Sequence, residues 1–199
     1  ERLDKGDWRG ASLQADKIEE HGAFDFLVPV ARAWIAFGAR EKNPLAPLQA
    51  RNVGALASSY VRDHEALMML ALKQKENGLF AVRSIAPVTQ SPAAFRLQAA
   101  AQLAAIGSKE EALAVLPKQE SWAKRARDMI NAGKPLPGAV NRPVAGMAAL
   151  LSRLASDLLR ETASPAALTF ARLSQFADPT NDSNTISLVQ IFARSGQNA

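Results

Sequence analysis

The sequence predicts an all-α fold, and three observations support this prediction. Ala and Leu dominate the apolar residues, and both lose little side-chain freedom in a helix. β-branched residues are scattered singly, so no segment has the composition that is typical of strands. Gly and Pro recur at intervals that suit short helices. About ten helices are therefore expected along the chain.

The N-terminal part of the chain predicts three helices, over residues 8–20, 24–37 and 54–72. Asp7 is a suitable N-cap for the first, and Gly22 follows its end, where a left-handed residue is favoured. Pro29 lies in the first turns of the second helix, where a proline costs least. The second half of the third helix is apolar nearly all round, which predicts deep burial.

The middle of the chain predicts four shorter helices, over residues 76–85, 92–106, 108–116 and 120–131. Ser91 and Pro92 provide an N-cap followed by a proline at the first helical position. Ser108, with Glu111 three residues later, predicts a capping box.

The C-terminal part begins with an irregular segment, because residues 133–143 contain two Gly and three Pro. Three helices are predicted after it, over residues 144–161, 165–176 and 183–195. The helix over 144–161 carries more apolar residues than one face requires. One hypothesis makes this helix a central packing element, with the irregular segment at the edge of a groove. The alternative is a plain interrupted repeat with a surface loop.

The segment 92–116 has the residue spacing of a close-packed helical hairpin. Counted from Gly107, a small residue lies seven positions back at Ala100 and another lies five positions ahead at Ala112. Leu103 and Leu116 supply the larger side chains around them. This spacing resembles the tetratricopeptide repeat. Parts of it return at Gly6, Ala11 and Ala15, at Ala31, Trp34 and Gly38, at Met69, Leu72, Ala81 and Ile85, at Ala167 and Pro179, and at Val189, Phe192 and Gly196.

The resemblance implies a right-handed superhelix of antiparallel hairpins, a tetratricopeptide-like α-solenoid, in which each hairpin covers the apolar edge of its neighbour. Residues 39–53 and 117–164 depart from the repeat pattern, so related helical-hairpin solenoids stay open as alternatives. The sequence is also similar to a group of bacterial tetratricopeptide proteins of uncharacterised role. That similarity implies the periplasm or the cell envelope. We treat residues 1–199 as one repeat domain, and we expect it to be a piece of a longer chain.

Charge is mild and mixed, with a net value of +5. Because nucleic-acid-binding surfaces concentrate basic residues and interleave aromatics, no nucleic-acid partner is expected. No apolar run of about eighteen residues occurs, so no transmembrane segment is expected. One local excess of basic residues is either a solvated helix face or a docking patch for an acidic partner. It comprises Lys118, Lys124, Arg125, Arg127, Lys134 and Arg142.

No catalytic residue, cofactor site or metal site is predicted. The chain has no Cys, which excludes disulfides and zinc–thiolate sites. His64 and Glu65 begin like a zinc-protease helix motif, but Met68 stands where the second His is needed. Trp34 is predicted to lie in the core. Trp8 and Trp122 lie next to charged residues, and either core packing or partner binding suits them.

These patterns predict a non-catalytic scaffold that binds a peptide or a partner protein, which the basic residues suggest is acidic. Stacked hairpins present a concave surface lined by their first helices. The candidate partner-binding residues on those helices and beside the irregular segment are Arg32, Arg62, Glu65, Arg96, Gln98, Gln102, Lys134 and Arg142. The alternative is an architectural or oligomerisation segment of a larger multi-repeat protein. That alternative predicts exposed apolar side chains at the two ends and allows a homo-oligomer.

Overall fold

The computed structural model describes residues 2–49, 54–85, 93–161 and 165–179. All regular elements within these ranges are helical, which confirms the all-α fold class. The α-helices of the described residues are α1 (Trp8–His21), α2 (Val28–Gly38), α3 (Ala55–Ala71), α4 (Lys75–Ile85), α5 (Ala93–Ala105), α6 (Lys109–Val115), α7 (Ser121–Asn131), α8 (Pro143–Glu161) and α9 (Pro165–Ala177). The helix predicted over 183–195 lies outside the described residues.

Local sequence signals account for both ends of α1. The Asp7 carboxylate accepts a hydrogen bond from the Gly10 backbone N–H at 2.9 Å, which satisfies one unpaired donor of the first turn. Gly22 ends the helix with φ of 72°, in the left-handed region that favours glycine. The predicted N-cap and C-terminal glycine of this helix are therefore both confirmed.

Two predictions about helix starts are wrong. The helix expected over 24–37 is divided, because Asp25–Leu27 form a 3₁₀ turn before α2 begins at Val28. Ser108 precedes α6, but its side chain makes no capping hydrogen bond. The residue is 1% exposed, and its buried hydroxyl has no hydrogen-bond partner among the described residues.

Neighbouring helices pack as hairpins: α1 with α2, α3 with α4, α5 with α6, and α8 with α9. One apolar core runs from α2 to α8, and Trp34 and Leu103 are fully buried in it. Ala100 and Ala112, the small residues of the predicted hairpin, are also fully buried. Burial of small residues on both helices is what a close approach of α5 and α6 requires.

Helix α8 packs against α2 and α3 as well as against its hairpin partner α9. Its Gly146 lies directly against the Trp34 indole of α2. The Ser174 hydroxyl of α9 donates a hydrogen bond to the Ala148 carbonyl of α8 at 2.7 Å, deep in the interior. The faces that α2 and α3 turn toward α8 are therefore covered by the chain itself. No helix of the described residues combines the length and the apolar character that crossing a membrane requires.

Candidate functional site

A cluster of charged side chains joins α3 to α8, and we call it the Asp63–Arg153 cluster. The Arg153 guanidinium donates to the Asp63 carboxylate at 2.6 Å and, through Nε, to the Asp157 carboxylate at 2.8 Å. The Tyr60 hydroxyl donates to the same Asp157 oxygen at 2.8 Å. The guanidinium also lies 5.3 Å from the centre of the Tyr60 ring, which favours a cation–π contact.

Burial and charge act in opposite directions on these groups. Burial raises the pKa of Asp63 to about 6, although the Arg153 guanidinium opposes the rise. For Arg153, burial acts to lower the pKa, but the charges of Asp157 and Asp63 outweigh it, so the pKa lies above its ordinary value. Arg153 therefore stays charged, while Asp63 titrates in the mildly acidic range.

His64, the next residue along α3, is buried and neutral. The Trp34 indole N–H donates to its Nδ1 at 3.0 Å, which requires an unprotonated Nδ1. Burial lowers the pKa of His64 to about 3, and the nearby Arg153 charge adds to the effect. Trp34 is fully buried, which confirms that it lies in the core, and its hydrogen bond gives His64 a structural part there.

The cavity beside the Asp63–Arg153 cluster is very small. It has a volume of about 20 Å³ and is bordered by Gln98 and Ser152 in addition to the charged residues. A buried water needs about 10–15 Å³ of such space and two to four polar partners, so the cavity suits one water rather than an organic ligand. In the described part of the chain, no group of three or more His, Asp or Glu side chains is placed to hold a metal ion.

We predict that replacing His64 by Gln changes the acid sensitivity of the fold. The folded pKa of about 3 lies below the ordinary value of 6.5, so protons bind the unfolded chain first as the pH falls below 6.5. His64 therefore costs stability in acid, at about 1.4 kcal/mol per pH unit between pH 6.5 and 3. Gln preserves an acceptor for the Trp34 N–H and removes this proton binding.

Urea unfolding from pH 7 to pH 4 measures the effect. The free energy of unfolding of the H64Q variant, taken relative to the unsubstituted protein, is expected to rise steadily below pH 6.5. The titration of Asp63 changes the free energy of unfolding in the opposite direction between pH 3.8 and about 6. This change is the same in both proteins, so it cancels in the difference. A difference that stays constant across this range would show that His64 titrates normally.

The candidate residues of the first three predicted helices lie in separate surroundings. Arg32 of α2 pairs with Asp16 at 2.8 Å and with Glu19 at 2.7 Å, both on α1. On α3, Arg62 is exposed, and Glu65 is half-buried and accepts a hydrogen bond from Gln49 at 3.3 Å.

The three candidates on α5 also lie apart. Arg96 is half-buried and borders a cleft between α4, α5 and α6. Gln98 borders the small cavity of the Asp63–Arg153 cluster. Gln102 is buried, and its amide nitrogen donates to the carbonyls of Leu67 at 3.1 Å and Val140 at 2.6 Å. Gln102 therefore fixes the irregular segment to α5 and is closed to a partner.

The basic residues of the local excess have two kinds of surroundings. Arg142 pairs with the buried Asp178 at 3.1 Å, and Arg127 donates to the carbonyls of Leu113 at 2.6 Å and Leu116 at 2.9 Å. Arg127 is half-buried, and Arg142 is exposed but ion-paired. Lys124 and Lys134 are also exposed, and no ion pair to either is found in the described residues.

Lys134 borders an open cleft of about 320 Å³ formed by α5, α6, α7 and the start of the irregular segment. Its walls are mostly small and apolar, and Lys109 is its other charged residue. We call it the alanine cleft, and it is lined by Ala101, Ala104, Ala105, Lys109, Ile130, Gly133, Lys134, Pro135 and Leu136. Small side chains on the cleft walls leave room for a partner's backbone to approach closely.

The sequence contained a signal for the Arg153–Asp157 ion pair, which was not among the predicted site residues. Arg153 and Asp157 stand four residues apart in a largely apolar stretch of α8, a spacing that places them on one helix face. A charged pair among buried apolar residues is a signal for a partly buried ion pair. No comparable signal indicated the alanine cleft, because Ala101, Ala104 and Ala105 are ordinary helix-forming residues.

Comparison with known proteins gives no match: no protein-family model, no curated protein and no solved structure matches this chain. The fold and its clefts define an all-α protein built from helical hairpins. The tetratricopeptide likeness therefore rests on the spacing in the sequence alone.

Proposed function

We propose that this chain is a non-catalytic scaffold that binds a peptide segment of a partner protein, and that the alanine cleft is where the partner docks. In stacked hairpins the concave surface is lined by first helices, which the repeat spacing makes α2, α3 and α5, although α2 packs with α1 as the second helix of a hairpin. Helix α8 packs across α2 and α3. A partner is therefore expected beside α5, where the alanine cleft is open.

The lining of the alanine cleft supports this proposal most directly. Ala104 and Leu136 are half-buried and Ala105 is exposed, so these three side chains provide the apolar area that a partner can bury, while the exposed Lys109 and Lys134 provide orientation. The Lys109 ammonium donates to the Asn131 carbonyl at 3.2 Å, which ties the start of α6 to the end of α7. The cleft walls are thus held by helix packing and by a hydrogen bond before any partner arrives.

Site-directed photocrosslinking tests the proposal. Ala105 is exposed on the cleft wall, and Ala46 is exposed outside the cleft. A benzoylphenylalanine at position 105, in the full-length protein in extracts of its own cells, is expected to capture a defined partner that position 46 does not. Ala105→Trp fills the cleft and is expected to weaken binding of that identified partner at least about tenfold. The matched control Ala46→Trp should leave the affinity unchanged, and equal capture from both positions contradicts the proposal.

A second function, an oligomerisation segment, is favoured by exposed apolar side chains on the first and last hairpins of the described residues. Leu13 and Ile18 of α1 are 55% and 41% exposed, and Leu173 and Phe176 of α9 are 45% and 69% exposed. Exposed patches of large apolar residues favour association. Sedimentation velocity of the chain and of a Leu173→Glu/Phe176→Glu variant separates the two functions. A concentration-dependent oligomer that the double substitution returns to a monomer supports the second function.

A further inference from the structure

Residues 117–142 carry most of the net charge of the chain. They include six Lys and Arg residues and two Asp and Glu residues, against a net charge of +5 for all 199 residues. Arg127 and Arg142 are engaged with backbone carbonyls and Asp178, as described above. Lys118, Lys124, Arg125 and Lys134 are exposed, and in the described ranges no carboxylate forms an ion pair with them. Four cations are therefore available to a partner.

Three of these cations border one surface. Lys124, Arg125 and Lys134 line an open depression along α7, and Asp128 is the acidic residue that lies among them. Lys134 also borders the alanine cleft. Gly133 has φ of 67°, which turns the chain sharply at the end of α7 and places Lys134 where the two surfaces meet. The apolar cleft and the basic depression thus share one lysine.

We propose that the partner segment is acidic and amphipathic: its apolar side chains occupy the alanine cleft, and its carboxylates lie over Lys134, Lys124 and Arg125. This inference rests on the proposed scaffold function and names the chemistry of its partner. Helix α7 has 11 residues and is about 16 Å long, so about five residues of an extended segment span the basic depression. Carboxylates there would meet exposed cations whose attraction steers association.

The composition of the two surfaces favours a peptide over a nucleic acid. Proteins that bind single strands stack bases on aromatic side chains, and both surfaces are lined by residues of other types. Asp128 also lies within the basic depression, where it would repel a continuous row of phosphates. A peptide can place a neutral or donor side chain opposite Asp128, which a uniform phosphate backbone cannot do.

Fluorescence anisotropy with synthetic peptides tests the inference. The probe is a fluorescein-labelled decapeptide of alternating Glu and Leu, compared with a Lys–Leu and a Glu–Ser decapeptide. The Glu–Leu peptide is expected to bind most tightly. The Lys124→Glu/Arg125→Glu and Lys134→Glu variants should each weaken it at least about tenfold, because each reverses charge at the binding surface. Raising the salt from about 50 to about 300 mM should weaken it severalfold.

The matched control is Arg9→Glu/Lys42→Glu, which reverses one exposed Arg and one exposed Lys outside both surfaces and should leave binding unchanged. Binding that resists the charge reversals and salt but is lost in Ala105→Trp would overturn the acidic partner and leave the scaffold function standing. Failure of the Glu–Leu peptide to bind at about 1 mM also overturns the inference. Tighter binding of a thymidine 20-mer would assign the cations to a phosphate backbone instead.

Discussion

Replacing Gly146 by Ala is expected to destabilise the fold by about 3 kcal/mol, at the upper end of the overpacking range. Gly146 lies in α8 against the Trp34 indole of α2, and a Cβ there would overlap the ring. The ring has no space to retreat, because Trp34 is fully buried and its N–H is bonded to His64. The Phe37 ring packs edge-on against the Trp34 indole, with 5.6 Å between the two ring centres. The substitution therefore tilts the indole or lifts α8 away from α2.

The stability that the steric clash is expected to cost exceeds the stability that alanine ordinarily gains over glycine in a helix. In a free helix interior, Gly to Ala gains roughly 0.5–1 kcal/mol, so a net loss isolates the steric clash. Gly54→Ala is the matched control, since a Cβ at Gly54 has no neighbour within 4 Å, and it should change stability by less than about 1 kcal/mol. Urea unfolding measures both.

A smaller ring at position 34 should relieve the clash. The double variant Trp34→Phe/Gly146→Ala is expected to lose at least about 1 kcal/mol less than the sum of the two single losses, because the two residues are in direct contact. Additive losses would mean that α8 does not rest on Trp34.

The sequence predicted the helices well because their determinants are local. Asp7 and Gly22 delimit α1, and prolines and glycines delimit the irregular segment after α7, within reach of the residues they affect. The packing register of α8 on α2, in contrast, is not determined by local sequence. It depends on a glycine and a tryptophan separated by more than a hundred residues, and neither residue reveals its partner to its own neighbours in the chain.

The candidate site was harder to predict for a related reason. The basic excess was visible in the sequence, but nothing local distinguishes Arg127, which bonds two carbonyls, from its exposed neighbour Arg125. Likewise, Arg62 and Asp63 are adjacent on α3, yet one is exposed and the other is buried beside Arg153. The spacing of α3 places Asp63 on the same face as the buried Tyr60 and Leu67, but the cation that pairs with it is supplied by the helix that packs on α3.

Replacing Arg153 by Met is expected to cost about 3 kcal/mol at pH 7. Met preserves much of the side-chain volume but leaves the Asp63 and Asp157 carboxylates without their cation. Removing one partner of a buried ion pair costs about 3–5 kcal/mol. The lower end of this range applies because the Asp63 and Asp157 side chains are 13% and 27% exposed. Arg9→Met, at an exposed arginine on α1, is the control and should stay within about 0.5 kcal/mol.

The cost of Arg153→Met should depend on pH, with the same sign from the Asp63 carboxyl and the His64 imidazole, because the Arg153 charge lowers the pKa of both. Arg153 opposes the burial that raises the pKa of Asp63, so without it the folded pKa rises above about 6. A carboxyl whose folded pKa exceeds its unfolded value of 3.8 stabilises the fold in acid and loses that contribution as the pH rises. The variant should therefore be penalised less at pH 5 than at pH 7.5, and Asp63→Asn should recover part of the loss at pH 7.5 by removing the stranded charge. A penalty that is equal at both pH values and indifferent to Asp63→Asn would mean that Arg153 contributes packing alone, and that α3 and α8 are joined by their apolar faces rather than by charge.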